Sequence, residues 1–150
     1  MSRTDMKTCV YCESPDIKKR LIVDTNLVRV FPTNIPVVPG HVLITPKRCV
    51  ATLEELSSEE LQAFLVTRRE VRDALIKIFG AEGFNYAWNE GTVAGQSVLH
   101  LHLHVLPRKM GDTGITEYEP RKFLYRPGSR EETPEAELGE VARMIRDSMN

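Results

Sequence analysis

The chain has 150 residues, of which 41% are hydrophobic and 27% charged, and its formal net charge is −1. This length is enough for one domain with a substantial core and too short for two, so we expect a single domain over residues 1–150. The near-neutral charge argues against general nucleic-acid binding, and no apolar stretch is long enough for a transmembrane helix. The N-terminus lacks the apolar segment of a secretory signal, which predicts a cytoplasmic protein that binds no membrane.

The N-terminal region contains a Cys-x-x-Cys motif, Cys9-Val-Tyr-Cys12, and a third cysteine follows at Cys49. A redox-active pair of this spacing would open a helix in a βαβ unit, and no parallel-sheet pattern is present. A disulfide framework fits poorly with three cysteines and no secretory signal. The motif therefore favours a zinc knuckle, with free buried thiols as the alternative.

Apolar runs and turn signals predict an antiparallel sheet. Residues 21–24 and 27–31 flank the turn signal Thr25-Asn26 and are predicted to form a hairpin. Further strands are predicted over 41–45 and 84–88.

A long helix is predicted between these last two strands. It begins at a capping box, in which Ser57 is followed three residues later by Glu60, and it ends at Gly80. We expect its apolar stripe to face the core: Leu61, Phe64, Leu65, Val71, Leu75 and Ile78.

The C-terminal part of the chain, 111–150, is predicted to be a loop followed by a helix. Residues 111–133 are polar and irregular, which is typical of a loop. Thr133 and Pro134 then have the pattern of an N-cap and first helical residue, and the helix carries the apolar residues Leu138, Val141, Ala142 and Ile145. The elements together predict an α+β fold with about five antiparallel strands, a long central helix and a C-terminal helix, the helices packing on one face of the sheet.

A strand is also predicted over 98–106, where three of the four histidines alternate with aliphatic residues. In a strand, His100, His102 and His104 would share one face at a spacing of about 7 Å, with the aliphatic residues on the other face. Histidines that merely fill a half-buried strand are rarely grouped in this way, because each buried imidazole needs a polar partner. The pattern predicts either catalytic chemistry or a three-histidine metal site on this face.

A loop punctuated by glycines, from Asn89 to Ser97, leads directly into the histidine run. The backbone N–H groups of such a loop can converge on an anion. The loop lacks the Gly-Lys-Ser/Thr ending of a Walker A motif. Beside a histidine face, it predicts a phosphate site next to a nucleophile.

These motifs together resemble those of the histidine triad (HIT) family of nucleotide hydrolases and transferases. The run His100–Leu106 is similar to the family signature, and the segments Pro39–Ile44, Pro46–Arg48 and Ala94–Val98 are similar to those that accompany it. The resemblance covers about residues 9–110. It implies a HIT-like fold and a homodimer whose sheets join across the interface.

The resemblance also implies roles for the histidines. His102 would attack the α-phosphorus of a purine nucleotide, and His104 would neutralise charge or protonate the leaving group. His41 is expected to support the triad from a neighbouring strand, although a strand histidine satisfied by the backbone is an alternative for this residue. His100 is expected to act behind the nucleophile and as a metal ligand.

Binding roles are implied in the same way. The phosphate would be held by the loop residues Asn89, Gly95, Gln96 and Ser97. The family often places an Asp or Asn for ribose recognition eight residues before the histidine that matches His41. This chain has Thr33 there, followed by Asn34, and these two residues are the candidates for the sugar contact.

The resemblance also implies a structural zinc site, because many bacterial members combine such a knuckle with a histidine at the position of Cys49 and the first triad histidine. The replacement of that histidine by cysteine exchanges one good zinc ligand for another. Cys9, Cys12, Cys49 and His100 would then form a closed Cys3His site.

The activity implied is the hydrolysis of a purine dinucleoside polyphosphate or a nucleoside phosphoramidate, with release of a nucleoside monophosphate. A phosphorylase or nucleotidyltransferase that uses the same site is an alternative. A zinc-stabilised nucleotide-binding module without significant catalysis is another.

Overall fold

The computed structural model describes residues 9–112 and 131–149. Four helices and five strands occur in this part of the chain, apart from short 3₁₀ turns. In chain order they are α1 (Val10–Glu13), α2 (Pro15–Lys18), β1 (Val23–Asp24), β2 (Val28–Pro32), β3 (Val42–Pro46), α3 (Ser58–Phe79), β4 (Gly83–Ala87), β5 (Leu103–Arg108) and α4 (Glu135–Ser148). The fold is α+β, as predicted, and most of the loop expected over 111–133 lies outside the described residues.

The five strands form one antiparallel sheet in the order β1-β2-β3-β5-β4. The predicted hairpin is present as β1 and β2, and its turn is stabilised by Thr25, whose Oγ1 accepts hydrogen bonds from the backbone N–H groups of Leu27 and Val28. β5 lies between β3 and β4. The end of the histidine run is therefore inside the sheet, with a strand on each side.

The prediction of one strand over 98–106 is wrong at its N-terminal end, because β5 begins only at Leu103. Of the three histidines in the run, only His104 lies on the strand. The ladder between β3 and β5 pairs Ile44 with Leu103, and its continuation would bring Pro46 opposite Leu101. Proline has no N–H to donate to a ladder, and Leu101 N instead donates to the carbonyl of Val50.

The hydrophobic core lies between one face of the sheet and the two long helices, α3 and α4. Alternate residues of β2, β3 and β5 point into it, as period-two side-chain alternation requires: Val28, Val30, Val42, Ile44, Leu103 and Val105. The short helices α1 and α2 were not predicted, and they cover the opposite face, where Tyr11 and Ile17 pack on Phe31 and Leu43. The expectation that helices lie on one face only therefore holds for the long helices alone.

Helix α3 has both predicted ends. Ser57 Oγ accepts from Glu60 N (3.1 Å), Ser57 N donates to Glu60 Oε1 (2.8 Å), and Gly80 ends the helix in the left-handed conformation at φ 65°. The predicted stripe is only partly correct, since Leu61 and Leu65 are 37% and 53% exposed. They are rotated by about 100° from the buried row Glu60, Phe64, Thr67, Val71 and Leu75.

Helix α4 begins one residue later than predicted, at Glu135, with Pro134 as its N-cap. Thr133 does not cap the helix, and its backbone N–H donates to the carbonyl of Asn34 (2.8 Å). The expected apolar face is confirmed, because Leu138, Ala142 and Ile145 are buried. Among the helices of residues 9–112 and 131–149, none has the length and apolar character needed to cross a membrane.

Candidate active site and metal centre

Four potential metal ligands converge at the N-terminal side of the histidine run. The Sγ atoms of Cys9, Cys12 and Cys49 and a ring nitrogen of His100 all lie within 4.8 Å of one another. Cys9 Sγ is 3.3 Å and Cys12 Sγ 3.5 Å from His100 Nδ1. In a tetrahedral zinc site, a sulfur and a nitrogen ligand are separated by about 3.5 Å, so these residues fit a Cys3His site.

The protonation of His100 suits this arrangement. Its Nε2 lies 2.7 Å from the carbonyl of Pro46, and because a carbonyl only accepts, Nε2 carries the proton. Nδ1 therefore presents its lone pair to the cysteines. A ligand histidine whose second nitrogen donates to a backbone carbonyl is the usual arrangement in metal sites.

The two knuckle thiols titrate very differently. Burial opposes ionisation of Cys9, but a His100 ring that is protonated on Nδ1 as well outweighs burial by its hydrogen bond and its charge, and lowers the pKa of Cys9 to about 6. Burial, together with the neighbouring Cys9, raises the pKa of the Cys12 thiol. A divalent cation among these sulfurs would favour the deprotonated form of both.

His102 lies directly next to this cluster, in the segment before β5. Its Nδ1 is 2.8 Å from the carbonyl of His100, so Nδ1 carries the proton and Nε2 holds the lone pair. Burial lowers the pKa of His102 to about 4, despite the opposing hydrogen bond to the His100 carbonyl. The imidazole is therefore neutral at physiological pH, which is the form required for a nucleophile.

His41 and His104 form a relay on the other side of His102. Val37 N donates to His41 Nδ1 (3.0 Å), so the proton of neutral His41 is on Nε2, which lies 2.9 Å from His104 Nδ1. His104 Nδ1 then accepts, and the proton of neutral His104 is on Nε2. The rings of His102 and His104 are 5.2 Å apart between centroids. The structure thus brings together all four histidines that the sequence singles out.

The glycine-punctuated loop is built around two residues with positive φ, Gly91 at 89° and Gly95 at 100°. A Cβ at Gly95 would lie 3.1 Å from Asn89 Nδ2, so glycine there allows the Asn89 side chain to pack against the loop. Ser97 is exposed. The loop is tied to the segment before α3 by Glu90, whose Oε2 accepts from Leu53 N (3.0 Å).

Gln96 is buried and bonded within its surroundings. Its Oε1 accepts from Gly91 N (2.8 Å), and its Nε2 donates to the carbonyl of Ala51 (2.9 Å). The side chain thus fixes the shape of the loop. Its predicted contact with phosphate stays a prediction.

A cavity of about 220 Å³ opens on the same face of the sheet as His104. Its lining includes Phe31 and Leu43, and the register pairs Phe31 with Leu43 and Leu43 with His104. Thr33 and Asn34, the candidates for the sugar contact, also line it. The cavity therefore begins one strand away from the triad.

Two residues of this region were missed by the sequence analysis. Tyr11, between two of the metal ligands, places its ring 5.0 Å from that of His102 and 5.4 Å from that of Phe31. Glu132 reaches the cavity and accepts a hydrogen bond from Asn34 Nδ2 (2.8 Å). The position of Tyr11 inside the knuckle was a usable signal, whereas no sequence pattern indicates Glu132.

Comparison with known proteins identifies the family. The HIT domain model matches residues 14–111. The asymmetrical bis(5'-nucleosyl)-tetraphosphatase of Schizosaccharomyces pombe is 34% identical over 103 residues, which make up 69% of this chain and 57% of that protein. The bis(5'-adenosyl)-triphosphatase of Dictyostelium discoideum is 31% identical over 121 residues, covering 77% of this chain and 78% of that protein.

Solved structures agree with this result. A Zn-bound histidine triad family protein from Mycobacterium smegmatis has a TM-score of 0.70 and 25% identity, with 95% of this chain and 94% of that chain covered. The motifs, the fold and the matched residues lead to one assignment, and this chain belongs to the HIT family.

Proposed function

We propose that this protein is a nucleotide hydrolase that cleaves at the α-phosphate and releases a nucleoside monophosphate. The observation that carries the proposal is the 2.8 Å contact between His102 Nδ1 and the His100 carbonyl. It fixes the tautomer in which Nε2 has a lone pair. Nucleotide binding alone needs hydrogen-bond donors and no nucleophile with a fixed tautomer.

In the first step, His102 Nε2 attacks the α-phosphorus and forms a P–N bond while the bond from phosphorus to the leaving group breaks. The leaving group takes the bonding electron pair and departs as an anion, and His104 Nε2–H is proposed as the hydrogen-bond donor that stabilises its charge. The product is a nucleotidyl-His102 intermediate. The His100 carbonyl, which accepts from Nδ1–H, stabilises the positive charge that develops on the ring.

In the second step, water attacks the same phosphorus, the P–N bond breaks and His102 recovers its lone pair. The attacking water releases its proton to solvent, and His104 stays neutral through both steps. The loop residues Asn89, Gly95, Gln96 and Ser97 are proposed to hold the non-bridging oxygens in both steps. His41 is proposed as the positioning residue for His104, supported by the 2.9 Å contact between their rings.

Two relatives support one substrate class, and a third, 36% identical to this chain, is named an adenylylsulfatase. Proteins 31–34% identical to this chain are named for the cleavage of dinucleoside polyphosphates. We therefore propose a purine dinucleoside polyphosphate as substrate, with water as the acceptor. The first relative is matched over just over half of its length, so the substrate is part of the proposal.

The test is product analysis of diadenosine tetraphosphate incubated with wild-type protein and with His102→Ala. AMP and ATP from the wild type alone are expected. Wild-type activity retained by His102→Ala would overturn the covalent mechanism. ADP and ATP formed only when phosphate is added would identify a phosphorylase, and absence of products with intact AMP binding would identify a binding module.

We also propose that the Cys3His cluster holds zinc. The ligand separations, the thiol chemistry and the Zn-bound relative support this metal. Bound there, the ion would supply structural cross-linking of the N-terminal arm to the histidine segment. All four ligands would come from the protein, which leaves no open position for substrate.

The homodimer, the single-domain organisation over 1–150 and the cytoplasmic location stay predictions. The homodimer is supported by β4, which lies at an edge of the sheet, and by the exposed side chains of Tyr86 on that strand and Trp88 just after it. An unpaired edge strand is a template for pairing with a second copy. Light scattering on the full chain should give the mass of two copies, and a monomer at micromolar concentration would contradict the proposal.

A further inference from the structure

The two candidates for the sugar contact, Thr33 and Asn34, both make hydrogen bonds within the protein. Thr33 stands where an Asp or Asn is expected, and it is buried, with its Oγ1 accepting from Ile35 N (3.3 Å). The Thr33 hydroxyl oxygen thus already accepts a hydrogen bond from the backbone two residues further along the chain. Asn34 projects its Nδ2 toward Glu132, not toward an empty part of the cavity. Neither residue supplies the negatively charged acceptor that an Asp at position 33 would offer.

Glu132 supplies a carboxylate at this place from a distant part of the chain. Asn34 Nδ2 donates to its Oε1 (2.8 Å), and Thr133 N donates to the Asn34 carbonyl (2.8 Å), so two hydrogen bonds join the segment before α4 to the end of β2. Both Asn34 and Glu132 line the cavity. A carboxylate has about four acceptor sites, so the bond from Asn34 leaves capacity for a ligand.

Two other acidic residues line this cavity, Asp16 on α2 and Glu135 on α4, and Glu135 is already engaged in an ion pair. Its two oxygens accept from Arg20 Nη1 at 2.7 and 2.9 Å, and Arg20 Nε donates to the carbonyl of Pro32. This buried Arg20 ties α4 to the end of β2 and holds Glu132 in the adjacent turn at the cavity mouth. Of the lining carboxylates, Glu132 is the one hydrogen-bonded to Asn34, and it keeps acceptor capacity for a ligand.

The spacing suits a nucleoside. Neighbouring strands are about 4.8 Å apart, so Phe31 on β2 lies roughly 10 Å from His104 on β5, with Leu43 between them. A nucleotide whose α-phosphate is at the triad would extend its sugar and base along this row. Its ribose would pass the end of β2, where Thr33 follows Pro32.

We propose that Glu132 is the ribose-recognition residue of this protein and selects ribonucleotides over 2'-deoxyribonucleotides. This inference rests on the proposed function. The two ribose hydroxyls are donors on adjacent carbons, and one carboxylate can accept from both. Asn34 is the positioning residue, because its amide holds Glu132 beside the cavity.

The experiment is calorimetric titration of AMP and 2'-deoxyAMP into the full chain, for wild type and Glu132→Gln. Wild type is expected to bind AMP about tenfold more tightly than 2'-deoxyAMP, as expected for one hydrogen bond to a charged group. In Glu132→Gln the two affinities should come within about threefold of each other, since the neutral amide is a weaker acceptor. Glu131→Gln is the matched control, because Glu131 is an exposed neighbour outside the cavity lining, and it should keep the wild-type ratio.

The ratio of affinities separates recognition from general electrostatics. Removal of a negative charge near a phosphate would strengthen the binding of both nucleotides equally and leave the ratio unchanged. An unchanged ratio in Glu132→Gln, or equal wild-type affinities for the two nucleotides, would overturn the inference while AMP binding still supports the proposed function. Failure of both nucleotides to bind would overturn the proposed function, and the inference with it.

Discussion

At the scale of single residues, the hydrogen bonds of the site fix which ring nitrogen of each histidine carries the proton. Two of these bonds involve backbone groups: the N–H of Val37 sets the tautomer of His41, and the carbonyl of His100 sets that of His102. His41 in turn sets the tautomer of His104, because its Nε2–H donates to His104 Nδ1. The tautomers give a neutral nucleophile, His102, and a neutral hydrogen-bond donor, His104, without the help of a carboxylate.

His41 provides the first prediction. His41→Ala should lower kcat by about 10- to 100-fold with a smaller change in KM, because His104 loses the donor that fixes its tautomer and Val37 N loses its acceptor. His41→Gln keeps an N–H near the position of Nε2 and should recover part of kcat. Steady-state kinetics on both variants measure this, and equal kcat for the Ala and Gln variants would contradict a positioning role.

A second residue-scale prediction compares two glycines of the phosphate loop. Gly91→Ala and Gly95→Ala share the strain of a positive φ, about 1 kcal/mol or more. Only at Gly95 would the new Cβ meet a side chain, Asn89, whereas at Gly91 nothing lies within 4 Å. We expect kcat/KM to fall about tenfold further in Gly95→Ala than in Gly91→Ala, as for the loss of one charged hydrogen bond. Equal losses would show that Asn89 does not contact the phosphate.

At the scale of elements, the start of α3 makes a prediction about pH. Hydrogen bonds from Arg48, and then from the backbone of Ser57, lower the pKa of Glu60 to about 2. A carboxyl with a lowered folded-state pKa stabilises the protein above its unfolded pKa, about 4.5, and loses that contribution as the pH falls toward 2.

Glu60→Gln should therefore lower the free energy of unfolding by about 1–2 kcal/mol at pH 7, a value reduced for the solvent exposure of Arg48. The difference from wild type should shrink between pH 5 and pH 2. Urea unfolding at several pH values measures it, with Glu59→Gln as the control one residue away. A difference independent of pH would contradict the assignment.

The elements themselves were predictable where local chemistry decides them. The capping box, Gly80 and the Thr25 turn are local signals, and each is confirmed. The start of β5 was not predictable from the alternation of its own residues. It depends on Pro46, which lies across the sheet and cannot continue the ladder.

The same division holds for the site. The grouping of His100, His102 and His104 could be predicted from the sequence, because all three lie within five residues. The role of Glu132 could not be predicted, since its contact with Asn34 joins positions 98 residues apart. Such a contact depends on the packing of α4 against the sheet, which local sequence patterns do not specify.

At the scale of the whole molecule, the Cys3His cluster joins the N-terminal arm to the middle of the sheet. Cys9 and His100 are 91 residues apart in sequence, and His100 also bonds to the end of β3 and to His102. Loss of the proposed zinc would remove one of the links that hold the arm carrying Tyr11 to the sheet. The stability of the fold and the order of the triad are therefore expected to depend on the same ion.

Cys49 tests this dependence, because it is the ligand for which the family resemblance offers a substitute. Protein purified without chelator should contain about one zinc per chain, and Cys49→Ser should lower both the zinc content and the melting temperature, since hydroxyl is a poor zinc ligand. Cys49→His should retain zinc and most of the wild-type melting temperature. If all three proteins melt alike and hold well below one equivalent of metal, the cluster is a set of free thiols. The arm is then held by the packing of Tyr11 and Ile17 on the sheet and by the hydrogen bond from Arg29 to the Tyr11 carbonyl.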